Sequence, residues 1–594
     1  MARMDPHSYF DEEQPRTKSL RLRWDVDFQA RRISGEVLLA LHEPSQGFMD
    51  LDTKGLDIRS VTADGHPVPY ELDDPDPILG QRLRLTLPPG TREVTLAYAT
   101  TAQATALQWL LPEQTAGKRH PFMFSQCQPH HARTLIPLQD SPRVRVSYTA
   151  EVTIPEDLTA VMSAGSAGVR PGPGPRSKTF LFDMPQPIPS YLIALAVGDL
   201  EGRDLSPRSR IWAEPATVGK AAWEFAGIED MIVTAEALFG PYEWERYDML
   251  VLPPSFPYGG MENPRLTFLT PTLLAGDRSL VNVVVHELAH SWTGNLVTNA
   301  TMNDFWLNEG FTVWAERRTL EALHGKGRAA MAWAIGKTGL DDAFSRFGAK
   351  SPYTRLKTDL WGVDPDAMYS EVPYEKGARL VALFEQAAGR EDFDRFLREY
   401  IARFRFTSIT SEEFLAFLDE KRPGLAEKVD AKAWIYGEGL PANCPVFHSP
   451  ELEALQALST GWKSGQRPPE NAAQAWSPEE TLVYLQGLPR PLPQADCAWL
   501  DSAFSLTGRT SYEILVEWLT IAAASDYEPS FARVREVLTT VGRMKYLRPL
   551  YGALGATPRT RTLAREIFAE ARPGYHALSA RVAEECMAAY PKGD

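Results

Sequence analysis

Cysteine is scarce. Cys127, Cys444, Cys497 and Cys586 are the only four in 594 residues, widely spaced and with no CxxC pair. That argues against a disulfide framework or a cysteine zinc site, and it fits a reducing, cytoplasmic setting. Long apolar runs are missing too. The richest stretch, around Tyr191 to Val197, is far below the roughly 20 residues that span a bilayer, and the opening MARMDPHSYFDEE has no apolar signal core. No membrane association is expected. Clustered positive charge is the third absence: 62 Lys and Arg stand against 77 Asp and Glu, a net charge of −15, without a basic run. Nucleic acid, whose phosphates need clustered cations, is not an expected partner.

What is present is ordinary globular material, 44% hydrophobic and 23% charged. At about 150 residues per domain, the length predicts three or four domains. The first 200 residues read as β. Val144, Val146, Tyr148, Ala150, Val152 and Ile154 alternate with polar neighbours, as do RLRLTL at Arg82–Leu87 and LRLRW at Leu20–Trp24. From about Val218 the period turns helical. Gly439 to Pro450 holds three prolines and no helical pattern, as an interdomain linker does. Beyond it Phe531, Val534, Val537, Leu538 and Val541 recur at helical spacing, and stacked helix pairs or a bundle both fit. The expected division is a β domain at 1–200, a catalytic domain at 201–438, a Pro-rich linker at 439–454 and a helical domain at 455–594.

The strongest chemical signal is His286-Glu287-Leu288-Ala289-His290. Histidines at i and i+4 project from one helix face and can share one zinc ion, and the Glu between them can deprotonate a metal-bound water. Asp277 or Ser279 is the expected cap at the start of this helix and Gly294-Asn295 its end. A hydrolytic zinc needs a third protein ligand and an open position. Glu309, nineteen residues beyond His290 in WLNEG, supplies the ligand if a second helix, capped by Asn303 or Asp304, brings it back. Glu316, two turns further along that face, can accept a hydrogen bond from a ligating imidazole. A second histidine group, His120, His130 and His131, lacks ligand spacing and is not expected to hold a metal.

HELAH, eighteen intervening residues and then the Glu of WLNEG have the signature of gluzincin metallopeptidases. GGMEN at Gly259–Asn263 narrows the resemblance to the zinc aminopeptidases of peptidase family M1. The strings PYGGMENP, TPTLLAGD, HSWTGNLVTN, FWLNEG and VPYEKG resemble the branch of leukotriene A-4 hydrolase and its microbial aminopeptidase relatives. SQCQ at Gln128 and GRMK at Arg543 extend the match into the flanking regions. Phe311, after Gly310, departs from the mammalian pattern and is expected to leave zinc binding untouched.

The resemblance implies an N-terminal antiparallel β-saddle, a thermolysin-like, mainly α catalytic domain and a C-terminal armadillo- or HEAT-like solenoid. It implies one Zn2+ held by His286, His290 and Glu309, with Glu287 as general base and Tyr374 as donor to the oxyanion. Glu262 and Gln128 would hold the substrate's α-ammonium, with Tyr258, Gly259, Gly260 and Met261 lining its path. Asp366 and Tyr369 would line a tunnel for a basic N-terminal side chain. Arg543 and Lys545 would take the C-terminal carboxylate of a short peptide. Two cations at i and i+2 do not share a helix face, so this pair is expected at a helix end or bend. The implied reaction is removal of the first residue from short peptides by a monomer or weak homo-oligomer. Hydrolysis of a leukotriene-like fatty-acid epoxide is the alternative.

Overall fold

Period-two patterning builds the first domain. The computed structural model describes residues 3–469 and 471–591. The strand Thr17–Asp27 buries Leu20, Leu22, Trp24 and Val26 and exposes the Arg and Asp residues between them. It lies at the centre of an eight-stranded sheet. On one side it pairs antiparallel with Arg32–Leu41. On the other it pairs parallel with Arg145–Pro155, Leu20 opposite Tyr148, so the saddle is not purely antiparallel as expected. A parallel neighbour cannot arrive by a hairpin; here more than a hundred residues intervene, including a three-stranded and part of a four-stranded sheet. The strand Phe122–Ser125 of that smaller sheet leads directly into the loop carrying Gln128 and His131.

The change of sheet falls between Gly198 and Glu201. Leu195–Gly198 belongs to the first domain, and Glu201–Ser206 opens a five-stranded mixed sheet that the helical period did not announce. Its strands Met249–Val251 and Thr267–Leu269 are three residues each and fully buried, too short to show alternation. Its edge strand is Gly260–Met261. Helices Asn282–Ala289, Trp306–His324, Lys326–Phe347 and Gly377–Ala388 follow. Helix Trp306–His324 is buried along most of its length, which explains its lack of a one-sided apolar stripe.

The expected linker ends early. Ser449 caps a helix that begins at Pro450, so residues 450–454 are helical, in keeping with proline's fit to a first helical position. In the last domain every second helix stacks. Pro450–Thr460, Pro478–Gln486, Tyr512–Ala524, Met544–Leu554 and Ala577–Ala588 form one layer in order, with Phe531–Thr540 on Pro558–Ala571 in a second. Tyr258 packs against both the core of the first two domains and that of the third, and the functional residues converge there. No described helix is long and apolar enough to cross a membrane.

Candidate metal centre and substrate cleft

Helix Asn282–Ala289 carries His286 and Glu287, with His290 as its C-terminal cap. Neither expected side-chain cap is used. The helix starts from Val281, already in helical conformation, without a side-chain hydrogen bond, and Asp277 instead accepts from the Ser279 amide in the preceding turn. Helix Trp306–His324 likewise starts from Phe305 after a short turn capped by Thr301. Asp304 is spent on Lys357 and Ser411 rather than on capping, and Asn303 accepts from the Leu360 amide.

That second helix returns Glu309 to the histidines. Its Oε2 lies 3.5 Å from His286 Nε2 and 3.3 Å from His290 Nε2. A tetrahedral ion with bonds of about 2.0–2.1 Å puts its ligand atoms about 3.3 Å apart, so the spacing fits zinc. Glu309 Oε2 is also a buried acceptor without a hydrogen-bond donor, an arrangement that costs energy unless a cation satisfies it. The other ring nitrogens are anchored. His286 Nδ1 is 3.1 Å from Glu316 Oε2. His290 Nδ1 is 3.0 Å from the Thr293 carbonyl, which Thr312 also bonds at 2.6 Å. With Nδ1 donating in each ring, both Nε2 lone pairs face the candidate metal position.

The electrostatics follow from burial. Burial alone would raise the Glu309 carboxyl, but His290 and His286 outweigh it and hold the group at about 2. Burial opposes the charged form of His286, yet the carboxylates of Glu309 and Glu316 beside it lift it well above its ordinary value. Burial pushes Glu287 up to about 8, against the pull of His286 and His290. Glu262 is raised by the same cause.

Tyr374 lies in a π-helical turn, Val372–Lys376, of the kind that recurs at functional sites. Its ring stacks on His286, centroids 6.2 Å apart, and Tyr369 and Phe305 meet it edge-on at 6.0 Å. Gly260 lies against Glu287: a Cβ there would be 2.3 Å from Glu287 Oε1. Glu262 is buried, 4% exposed, with no Lys or Arg partner among the described residues. Gln128 Nε2 approaches it at 3.4 Å, and Asn295 holds its backbone carbonyl at 2.8 Å. Met261 accepts a contact from Gln126. Tyr258 and Tyr369 meet edge-on at 5.8 Å beside Asp366, and with Gln128 these residues line one apolar pocket.

Arg543 immediately precedes helix Met544–Leu554, and Lys545 lies in its first turn, the helix-end setting that an i, i+2 pair requires. Both pair with Glu513, at 3.2 and 2.9 Å, and the Arg543 guanidinium packs on Gly259. The structure thus gathers His286, His290, Glu309, Glu262 and Glu287 into one cluster, sets Tyr374 against His286 and Gly260 against Glu287, and places Gln128, Tyr258, Asp366 and Tyr369 round one pocket, with Glu316 behind His286. Phe311 is fully buried and stacks on Trp306 and Tyr400.

Sequence reasoning missed Thr312, Asn295, Glu513 and Tyr191, whose hydroxyl accepts from Asn308 beside Glu309. Asn295 stands in the string HSWTGN, and its neighbour Gly294 has φ +132, so a turn signal marked the place but not the partner. His131 was seen only as a poor metal ligand; it bonds Asp366 at 2.8 Å.

Family models match all three domains: the peptidase M1 N-terminal domain over residues 11–192, the peptidase family M1 domain over 225–434, and the leukotriene A4 hydrolase C-terminal domain over 476–587. The chain is 39% identical to leukotriene A-4 hydrolase of Xenopus laevis, covering 97% of this chain and 98% of that one. It is 37% identical to leucine aminopeptidase 2 of Yarrowia lipolytica, covering 93% and 89%. Yeast leukotriene A4 hydrolase bound to bestatin superposes with a TM-score of 0.91 at 31% identity, over 98% of this chain and 97% of that one. A β-rich first domain, a central domain built round HELAH and WLNEG, and a helical third domain thus all have their counterparts, and the chain belongs to the zinc aminopeptidases of peptidase family M1, in the branch with a leukotriene A4 hydrolase C-terminal domain.

Proposed function

We propose that this enzyme removes the N-terminal residue from short peptides, tripeptides foremost, with one Zn2+ per chain held by His286, His290 and Glu309. The observation that carries the reading is Glu262, a buried carboxylate without a Lys or Arg partner among the described residues, in a cluster with Glu287 and His290. A carboxylate in that position pairs strongly with an α-ammonium, and the amide of Gln128 supports it. Bound zinc polarises the scissile carbonyl and acidifies the attacking water. Glu287 takes the proton of that water and returns one to the leaving amine. Tyr374 donates its hydroxyl to the carbonyl oxygen as negative charge develops there.

Gly260–Met261, paired on one side only, offers an edge for extended substrate, with Tyr258 and Gly259 along the approach. Glu316 orients His286 through its hydrogen bond. Asp366 and Tyr369 take the first side chain, basic or small and apolar, and Arg543 with Lys545 takes the terminal carboxylate. The domain division at residues 200 and 438, action in the cytoplasm as a monomer or weak homo-oligomer, and a lack of nucleic-acid partners belong to the same proposal. Release of the first residue from an Arg-initiated tripeptide, but not from its N-acetylated twin, and only without chelator, is the expected result. Equal cleavage of the twin removes Glu262 from its role. The second reading is hydrolysis of a leukotriene-like epoxide. It is favoured by the apolar pocket of Met302, Phe305, Leu356, Leu360 and Met368, and epoxide turnover by the same preparation tests it.

A further inference from the structure

The short turn that carries Asp366 is gripped by both flanking domains. From the β domain, His131 Nε2 lies 2.8 Å from Asp366 Oδ2, both side chains nearly buried, and His7 Nε2 lies 2.9 Å from the Val363 carbonyl. From the helical domain, Arg581 pairs with Asp364 at 2.8 Å, and Asp364 caps the turn by accepting from the Asp366 amide at 3.0 Å.

An ionised carboxylate only accepts, so His131 donates from Nε2. Its Nδ1 then accepts from the Thr105 hydroxyl, 2.7 Å away, which fixes the tautomer and leaves no imidazole nitrogen idle. Asp366 Oδ2 is thus occupied, while Oδ1 accepts from no described residue, and Asp366 lines the pocket with Gln128 and Tyr258. Arg581 and Asp366 also line one small cavity together. An aspartate free to rotate on this turn has that cation as a competitor for any ligand.

We propose that His131 is a positioning residue which sets the preference for a cationic N-terminal side chain, by holding the Asp366 carboxylate towards the pocket and away from Arg581. The proposal rests on the reading of Asp366 as the acid of that pocket. Arg581 assists through Asp364, so the preference is fixed by docking of three domains rather than by the catalytic domain alone.

The test is kcat/KM for arginine and leucine p-nitroanilides in the full-length zinc enzyme and in Asp366→Asn, His131→Leu, His131→Gln and Thr105→Val. Asp366→Asn is expected to lower the arginine-to-leucine ratio by about tenfold or more, the loss of a charge-assisted contact. His131→Leu reproduces most of that loss, chiefly through KM for arginine, with the leucine substrate unchanged. His131→Gln, whose amide can still donate, keeps most of the ratio. Thr105→Val, which leaves the imidazole in place but frees its ring, shifts the ratio in the same direction and serves if His131→Leu does not fold. Equal loss on both substrates, or an unchanged ratio where Asp366→Asn lowers it, overturns the positioning role. An unchanged ratio in Asp366→Asn overturns the pocket-acid reading beneath it, while leucine turnover still reports the aminopeptidase activity.

Discussion

Gly310 and Gly377 mark the place where the helix of Glu309 meets the helix that follows Tyr374, backbone against backbone. A Cβ at residue 310 would lie 2.7 Å from Gly377 Cα and 2.8 Å from its carbonyl carbon, where ordinary contact begins at 3.4 Å. Gly310→Ala must therefore part the two helices by about 0.7 Å, since neither contact is a side chain that can swing aside. Overpacking of this kind costs about 1–3 kcal/mol, and the better helix propensity of alanine returns up to about 1 kcal/mol. A net loss of about 1–2 kcal/mol is expected, lowering the unfolding midpoint by about 2–4 °C per kcal/mol for a domain of this size. The same displacement moves Glu309, the proposed zinc ligand, relative to Tyr374, the proposed oxyanion donor, and misplacement by about 1 Å costs about a hundredfold in rate. Thermal unfolding followed by circular dichroism, with kcat/KM on a tripeptide, measures both effects. If Gly310→Ala is as stable and as active as the parent, the helices do not meet as described and the argument fails.

Gly260→Ala makes the complementary case. Its clash is with the movable carboxylate of Glu287, so activity should fall about a hundredfold with an unchanged melting midpoint; a lowered midpoint with intact activity refutes it. Glu316→Ala releases the His286 ring and should weaken zinc binding by about 10–100-fold, read by chelator competition without any substrate; unaltered competition refutes the anchoring role. For Glu513, burial alone would raise its carboxyl, but Lys545 and Arg543 outweigh it and hold it at about 2, against an ordinary 4.5. A carboxyl lowered by folding stabilises above pH 4.5 and loses that contribution as pH falls towards 2, here about 3 kcal/mol. Urea midpoints of the parent and Glu513→Gln should therefore converge as pH drops from 6 to 3; a constant gap refutes the pairing.

The contrast between what was and was not legible follows the range of each interaction. The i, i+4 histidines are fixed by helix geometry, and Glu309 needed only one returning helix. The saddle strands showed because their faces are half wet. The buried three-residue strands of the central sheet did not, since burial on both faces erases alternation. Capping failed at Val281 and Phe305 because each helix grows out of a preceding turn already in helical conformation, where no side-chain acceptor is required. His131 with Asp366 and Gly310 with Gly377 are far apart in sequence, and Arg543 reaches Gly259 across two domains. No local pattern encodes such pairs.

The interlocking of the last helix with the pocket also orders events in time. Arg581 secures the turn of Asp366 through Asp364, and Ser579 bonds the carbonyl of Gly542, whose amide in turn holds Pro254 in the approach to the active site. A chain emerging from the ribosome has the whole central domain by about residue 438, yet it lacks this wall until residue 581 is out. Domains fold largely as units in order of synthesis, so the central domain is complete about 140 residues before the wall is, about 7–29 s at 5–20 residues per second. The wall around Asp366 is thus the last part of the molecule to be put in place as the chain is made.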